Sequence, residues 1–134
     1  FFYLINKTMK NKILLIIAKQ NNKIVAGALN FIGSNTLYGR NWGSIVDIPF
    51  LHFELCYYQA IEYAIDNNIK KVEAGAQGHH KIQRGYVAES TYSRHLIQNE
   101  SFAKAVRNFV QLEAKEIDKQ IQLINEQGSP YSNI

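Results

Sequence analysis

The chain has 134 residues, 46% of them hydrophobic and 19% charged, which suits one domain with a single core and excludes a disordered tail. Its net charge of +4 comes from scattered basic residues, so it permits an anionic ligand without calling for nucleic acid. No apolar run approaches the roughly 20 residues of a membrane span, and no basic-then-apolar leader is present. The single cysteine, Cys56, cannot form an internal disulfide, so a reducing, cytoplasmic compartment is expected.

Residues 1–9 read as the last turns of a helix, and Asn11-Lys12 as a turn. The chain opens on Phe1-Phe2-Tyr3 and its only methionine is Met9, so a piece of a longer protein is expected. The isoleucine-rich run 13–19 predicts a buried strand, Gln20-Asn21-Asn22-Lys23 a hairpin turn, and 24–32 a second strand. Gly27 inside that strand suggests a bulge or a close backbone approach. A turn at Gly33-Ser34-Asn35 leads to a third strand, 36–42, completing an antiparallel meander.

Residues 43–50 form a loop ending at Pro49. The next stretch, 51–67, is the clearest helix: Phe53, Cys56, Tyr57, Ala60, Ile61, Ala64 and Ile65 make one apolar stripe, and Asn67-Asn68 stops it. A short strand, 71–74, precedes a loop, 75–85. Residues 86–97 predict another strand or hairpin arm. Asn99 or Ser101 can cap a long helix over 102–126, and 127–134 reads as a loose tail. The element order predicts a mixed α/β (α+β) fold with a largely antiparallel sheet, a central helix and a long C-terminal helix.

The loop 75–85 concentrates chemistry. Gly75, Gly78 and Gly85 let backbone amides approach a ligand. Lys81 and Arg84 can neutralise a phosphate or carboxylate, and His79 or His80 can pass a proton near neutral pH. The alternative is a solvated basic connector. Tyr38-Gly39-Arg40-Asn41-Trp42-Gly43 closes the third strand, and its Arg40 and Trp42 suit the lining of a cleft. On the helix, His52, Cys56 and Gln59 share one side, where a thiol beside an imidazole would be an activated nucleophile; Cys56 also lies on the apolar stripe, where a cysteine usually only packs. Adjacent His79 and His80 cannot face one metal, and His52, His95 and Cys56 add no ligand spacing, so no metal is expected.

The segments AGALNFIGSNTLYGRNWG, LHFELCYYQAIEYAI and EAGAQGHHKIQRGY, in this order, resemble the C-terminal half of the FemAB-like (peptidoglycan biosynthesis/recognition) family of the acyl-CoA N-acyltransferase (GNAT) superfamily. The resemblance runs from about Ile13 to Glu113. It implies a GNAT-type mixed sheet, with this chain as a partial domain. It also implies transfer of an acyl or aminoacyl group to an amine on a small-molecule or peptide acceptor. The donor would be an acyl-CoA or an aminoacyl-tRNA, with no tightly bound cofactor. Catalytic candidates are His80, Glu73 and His52. Gln77, Gly78, His79, Lys81, Arg84, Gly85, Arg40 and Trp42 are the binding candidates, with Gln77 or loop amides facing the oxyanion. Two departures stand out. His79 replaces the glutamate expected in GAQGEHK. The segment 47–52 has no glycine and includes Pro49, which lacks an amide donor, so the pyrophosphate-binding amides of ordinary CoA enzymes are not expected there. That favours an aminoacyl-tRNA or another donor. Two other readings follow from the same residues: a non-catalytic module that binds cell-wall peptide or another anionic ligand, and an inactive fragment that dimerises or pairs with a missing N-terminal half.

Overall fold

The computed structural model describes residues 1–75 and 78–127. The chain divides into two compact units, Phe1–Ala76 and Gln77–Ile134. The fold is a mixed α+β arrangement.

The first unit opens with α1 (Phe2–Met9) and a 3-10 turn (Lys10–Lys12), followed by β1 (Ile13–Gln20), β2 (Lys23–Ile32) and β3 (Thr36–Ser44). Asn21 and Asn22, at φ 50° and 62°, make the tight turn between β1 and β2. Two consecutive left-handed residues match the twist of the strands they join, and asparagine tolerates that conformation better than most residues. β1, β2 and β3 are antiparallel, and β4 (Lys71–Glu73) adds to β3 in parallel. The sheet order is therefore β1-β2-β3-β4.

The bulge expected at Gly27 lies elsewhere. Gly27 pairs regularly with Ile17 and Gly43, and a Cβ there would meet nothing closer than Ile16 O at 3.5 Å. One register shift falls where Val25 is the extra residue opposite Ala18 and Lys19. A second falls where Leu29 and Asn30 face Asn41 and Gly39, leaving Arg40 as the extra residue. Each bulge bends its strand and re-aims the side chains around it.

A continuous helical stretch spans 51–66: α2 (Leu51–Phe53), a π-helical turn (Glu54–Tyr58) and α3 (Gln59–Asp66). The Gln59 N–H donates to Glu54 O, five residues back, which marks the π-turn. This extra residue re-phases the apolar stripe. Leu55, outside the expected stripe, is buried with Tyr57, Ala60 and Ala64, whereas Ile65 is 70% exposed. Leu55 packs on Ala26 and Ala28 of β2, with Ile16, Ala18, Leu51 and Cys56 around them. The small side chains of β2 let the helix sit close to the sheet, and burying Leu55 contributes about 1.5–3 kcal/mol. At the helix end Asn68 turns left-handed, at φ 54°, and the Ile69 N–H reaches Ala64 O.

The second unit holds α4 (His79–Ile82) and α5 (Glu100–Gln127). Asn99 is the N-cap: its Oδ1 accepts from the Phe102 N–H at 3.0 Å. The strand expected over 86–97 does not form. Asn125 bonds both the N–H and the carbonyl of Ala88, at 2.8 and 2.9 Å, so residue 88 sits near the far end of α5. The twenty-five residue steps from 100 to 125 rise about 38 Å along the helix. The eleven residue steps from 88 to 99 must cover that distance and can do so only when the chain is almost fully extended. The segment is extended because it returns along a helix; among the described residues it has no neighbouring strand to pair with. Of the expected tail, 127–134, Gln127 is instead the last residue of α5, and 128–134 lie outside the described residues.

Candidate functional site

The first unit carries a cleft of about 130 Å³ lined by Ala28, Asn30, Gly39, Arg40, Trp42, His52, Cys56, Tyr57 and their neighbours. Three elements make it. The second bulge places Arg40 out of register while Gly39 and Trp42 keep their partners Asn30 and Ala28. The π-turn opposite sets Cys56 and Tyr57 toward the sheet. β4 stops pairing at Glu73, whereas β3 runs on to Ser44, so the sheet's β4 side is short beside the cleft.

The cleft's aromatic wall is mutually braced. The Trp42 indole meets the His52 ring edge-on at 5.3 Å, and His52 meets Tyr57 at 5.5 Å, 87° between planes. Such T-shaped pairs hold each ring in one orientation. The floor is Asn30, 1% exposed. Its Nδ2 donates to Ala28 O at 3.3 Å. A Cβ on Gly39 would stand 3.7 Å from Asn30 Oδ1 and 3.3 Å from Glu73 O. Glycine at 39 therefore avoids crowding the Glu73 carbonyl beside the amide.

Sequence candidates His52, Arg40 and Trp42 come together here. Glu73 does not join them. Its partner across the parallel ladder is Tyr38, while neighbouring Leu37, fully buried, pairs with Val72. Strand alternation thus puts Glu73 on the face away from the helix, where its carboxylate lies 3.4 Å from Lys71 Nζ. The nucleophile reading of Cys56 fails on electrostatics: burial pushes its thiol up to about 11, so the reactive thiolate is scarce at neutral pH. Asn30 was not among the sequence candidates, and Tyr57 was read only as part of the apolar stripe. An asparagine in an otherwise apolar strand was the available signal for the first.

The segment after Pro49 is also occupied by its own chain. Phe50 sits at φ 67°, and its carbonyl accepts from the Phe53 and Glu54 amides, while the Leu51 N–H donates to Ile48 O. These amides are committed within the turn.

The remaining candidates belong to the second unit. Gln77 lies outside the described residues, as does the side chain of His79. Gly78, at φ 111°, precedes α4, and a Cβ there would fall 2.6 Å from His80 Cε1. The missing side chain lets the imidazole fold back over the backbone. Arg84 Nη1 donates to His80 O at 2.7 Å. The Tyr86 N–H reaches Lys81 O, and Gly85, at φ 85°, donates to Ile82 O. What the sequence reads as a loop is a self-bonded helical turn. Lys81 within it is buried, which lowers its amine's pKa from the usual lysine range.

Among the described residues no helix is long and apolar enough to cross a membrane. The sequence profile of the FemAB-like family, described as peptidoglycan biosynthesis/recognition, matches residues 1–133. No curated protein and no solved structure matches the chain. The chain belongs to the FemAB-like family.

Proposed function

We propose that this FemAB-like chain contributes the acceptor site of an N-acyltransferase that works on peptidoglycan peptide. The reading is carried by the clustering of Arg40, Trp42 and His52 around one cleft beside the short β4 edge. In the reaction, the acceptor amine attacks the carbonyl carbon of an activated acyl or aminoacyl donor. The new N–C bond forms, the bond to the donor's carrier breaks, and His52 takes the amine's proton. His80 is the second candidate for that proton. Arg40 faces an acidic group of the acceptor; Lys81 and Arg84 belong with His80 to the alternative site in the second unit, where they bind an anionic part of donor or acceptor. No covalent enzyme intermediate is needed, in keeping with the raised pKa of Cys56. The committed amides around Phe50 support an aminoacyl-tRNA, or another donor, over a CoA pyrophosphate docked at that turn.

A second reading, recognition without turnover, is favoured by one observation. The cleft lining includes no Asp or Glu, so His52 is its main proton-transfer group.

The test is transfer to a muropeptide amine from a panel of acyl-CoA and aminoacyl-tRNA donors. His52→Ala is expected to slow transfer about 10²–10⁴-fold if it removes the general base. Wild-type rates in His52→Ala would reject His52. Wild-type rates in each of His80→Ala, Lys81→Ala and Arg84→Ala would reject the roles given to the turn. Muropeptide binding with no turnover from any donor would support the recognition reading.

A further inference from the structure

We infer that α5 pairs, antiparallel, with the α5 of a second copy of this chain. Seven of its apolar residues recur at spacings of three and four: Ala103, Val106, Val110, Ala114, Ile117, Ile121 and Ile124. That spacing draws one seam down the helix, about 32 Å long. The middle of the seam is open. Val110 is 48% and Ile117 42% exposed, while Ala103, Val106, Ile121 and Ile124, towards the ends, are partly buried. A continuous apolar seam left in water forfeits the burial it offers and marks a surface for a partner.

Two features of the seam choose the partner and its direction. The first is size. The small side chains, Ala103, Val106 and Val110, lie towards the N-terminus, and the three isoleucines lie towards the C-terminus, with Ala114 between them. A two-fold axis beside Ala114 sets Ala103 against Ile124, Val106 against Ile121 and Val110 against Ile117, each pair twice, and Ala114 against its own mate. Small then meets large along the seam, and alanine lets the helices approach at the axis. A parallel mate would stack isoleucine on isoleucine at one end and underfill the other. The second feature is charge. Residues 100–112 carry Lys104 and Arg107 against Glu100, whereas residues 113–126 carry Glu113, Glu116, Asp118 and Glu126 against Lys115 and Lys119. An antiparallel mate lays the basic part beside the acidic part, and a parallel mate lays like on like. Arg107 and Asp118 each follow a seam alanine by one turn, so both border the same side of the seam. Across the two-fold, Arg107 falls within reach of Asp118 of the second copy. On the other border Glu113 meets Glu113 of the second copy near the axis, a like-charge contact that lowers the affinity.

Sedimentation equilibrium of the whole chain, at concentrations up to about 100 μM, tests the pairing. The wild-type chain is expected to dimerise. Arg107→Glu and Asp118→Arg each turn two attractive contacts into two repulsive ones, and each should weaken the dimer about ten-fold or more. The chain with both changes restores the contacts with their signs exchanged, and should regain wild-type affinity. Glu113→Gln should tighten the dimer about two-fold. Arg107 and Asp118 are both exposed, so these variants keep the fold, which circular dichroism of the helices checks. They also lie outside the cleft lining, so the result is independent of the acceptor-site reading. A wild-type chain that stays monomeric overturns the inference. A dimer that neither single variant weakens overturns it too, because the contact then lies elsewhere. A double variant as weak as the single ones rules out the antiparallel register, and with it the inference.

Discussion

The cleft of the first unit and the helical turn 78–86 of the second use similar residues in opposite ways. The turn bonds along its own backbone: Arg84 Nη1 donates to His80 O, and the Tyr86 amide donates to Lys81 O. In the cleft, the buried Asn30 amide donates to Ala28 O of its own strand at 3.3 Å, while Arg40, Trp42 and His52 line the walls. A segment dense in histidine, lysine, arginine and glycine can thus bond along its own backbone, while a candidate cleft forms beside a strand whose buried polar residue is an asparagine. Polar groups matter to a ligand according to where their bonds go, and counting them does not reveal that.

The largest effect that would break the contrast comes from beneath the cleft. Leu55→Ala empties the contact that seats the π-turn on Ala26 and Ala28, and should cost about 2–5 kcal/mol in chemical denaturation. A loss below 1 kcal/mol would mean that the re-phased stripe is not what anchors the helix. Gly78→Ala should break the turn and spare the cleft. The added Cβ meets His80 Cε1 at 2.6 Å and must adopt φ 111°, a strain of about 1–3 kcal/mol. The His80 ring resonances should move while Trp42 emission stays constant.

Asn125→Ala removes both bonds to Ala88, and should cost about 1–2 kcal/mol locally. The readout is faster amide hydrogen exchange at Ala88, with exchange in β1 and β2 unchanged.

The smallest effect sharpens the electrostatic side of the contrast. Between pH 9 and about 11 the native Cys56 thiol stays protonated while the unfolded one ionises, so its contribution to stability falls as pH rises through that window. Lys81 acts in the other direction. Its buried amine sheds its proton below the ordinary 10.5 while the unfolded chain still holds it, so stability rises with pH up to that value. Cys56→Ala should therefore gain stability relative to wild type as pH rises above 9, measured as a shift in urea midpoint. A constant difference between the two chains across the window would contradict the burial of the thiol.

Much of the first unit was legible because local chemistry and fold agree there. The Asn21-Asn22 turn, the three meander strands and the Asn67-Asn68 stop, and in the second unit the Asn99 cap, each follow from residues that prefer the conformation they adopt. The misreadings have a common cause in long-range geometry. Residues 86–97 have strand-like patterning, yet a strand needs a partner, and this segment instead returns along α5 to Asn125. Leu55 was placed off the stripe because a period of 3.6 cannot anticipate a π-turn. Glu73 and His52 both looked catalytic, and only the parallel register with Tyr38 shows that they sit on opposite faces of the sheet. The cleft itself depends on the extra residue at Arg40, which a single sequence does not announce.

The central claim, that the cleft is where a ligand binds, can be tested with the imidazole resonances of the chain's four histidines. A soluble muropeptide would be titrated into the chain while the ring ¹⁵N shifts are followed. The account expects the His52 ring to shift saturably, with His95 unmoved and any response at His80 smaller. A His52 ring that stays fixed while the His80 ring saturates would contradict it and return the site to the turn.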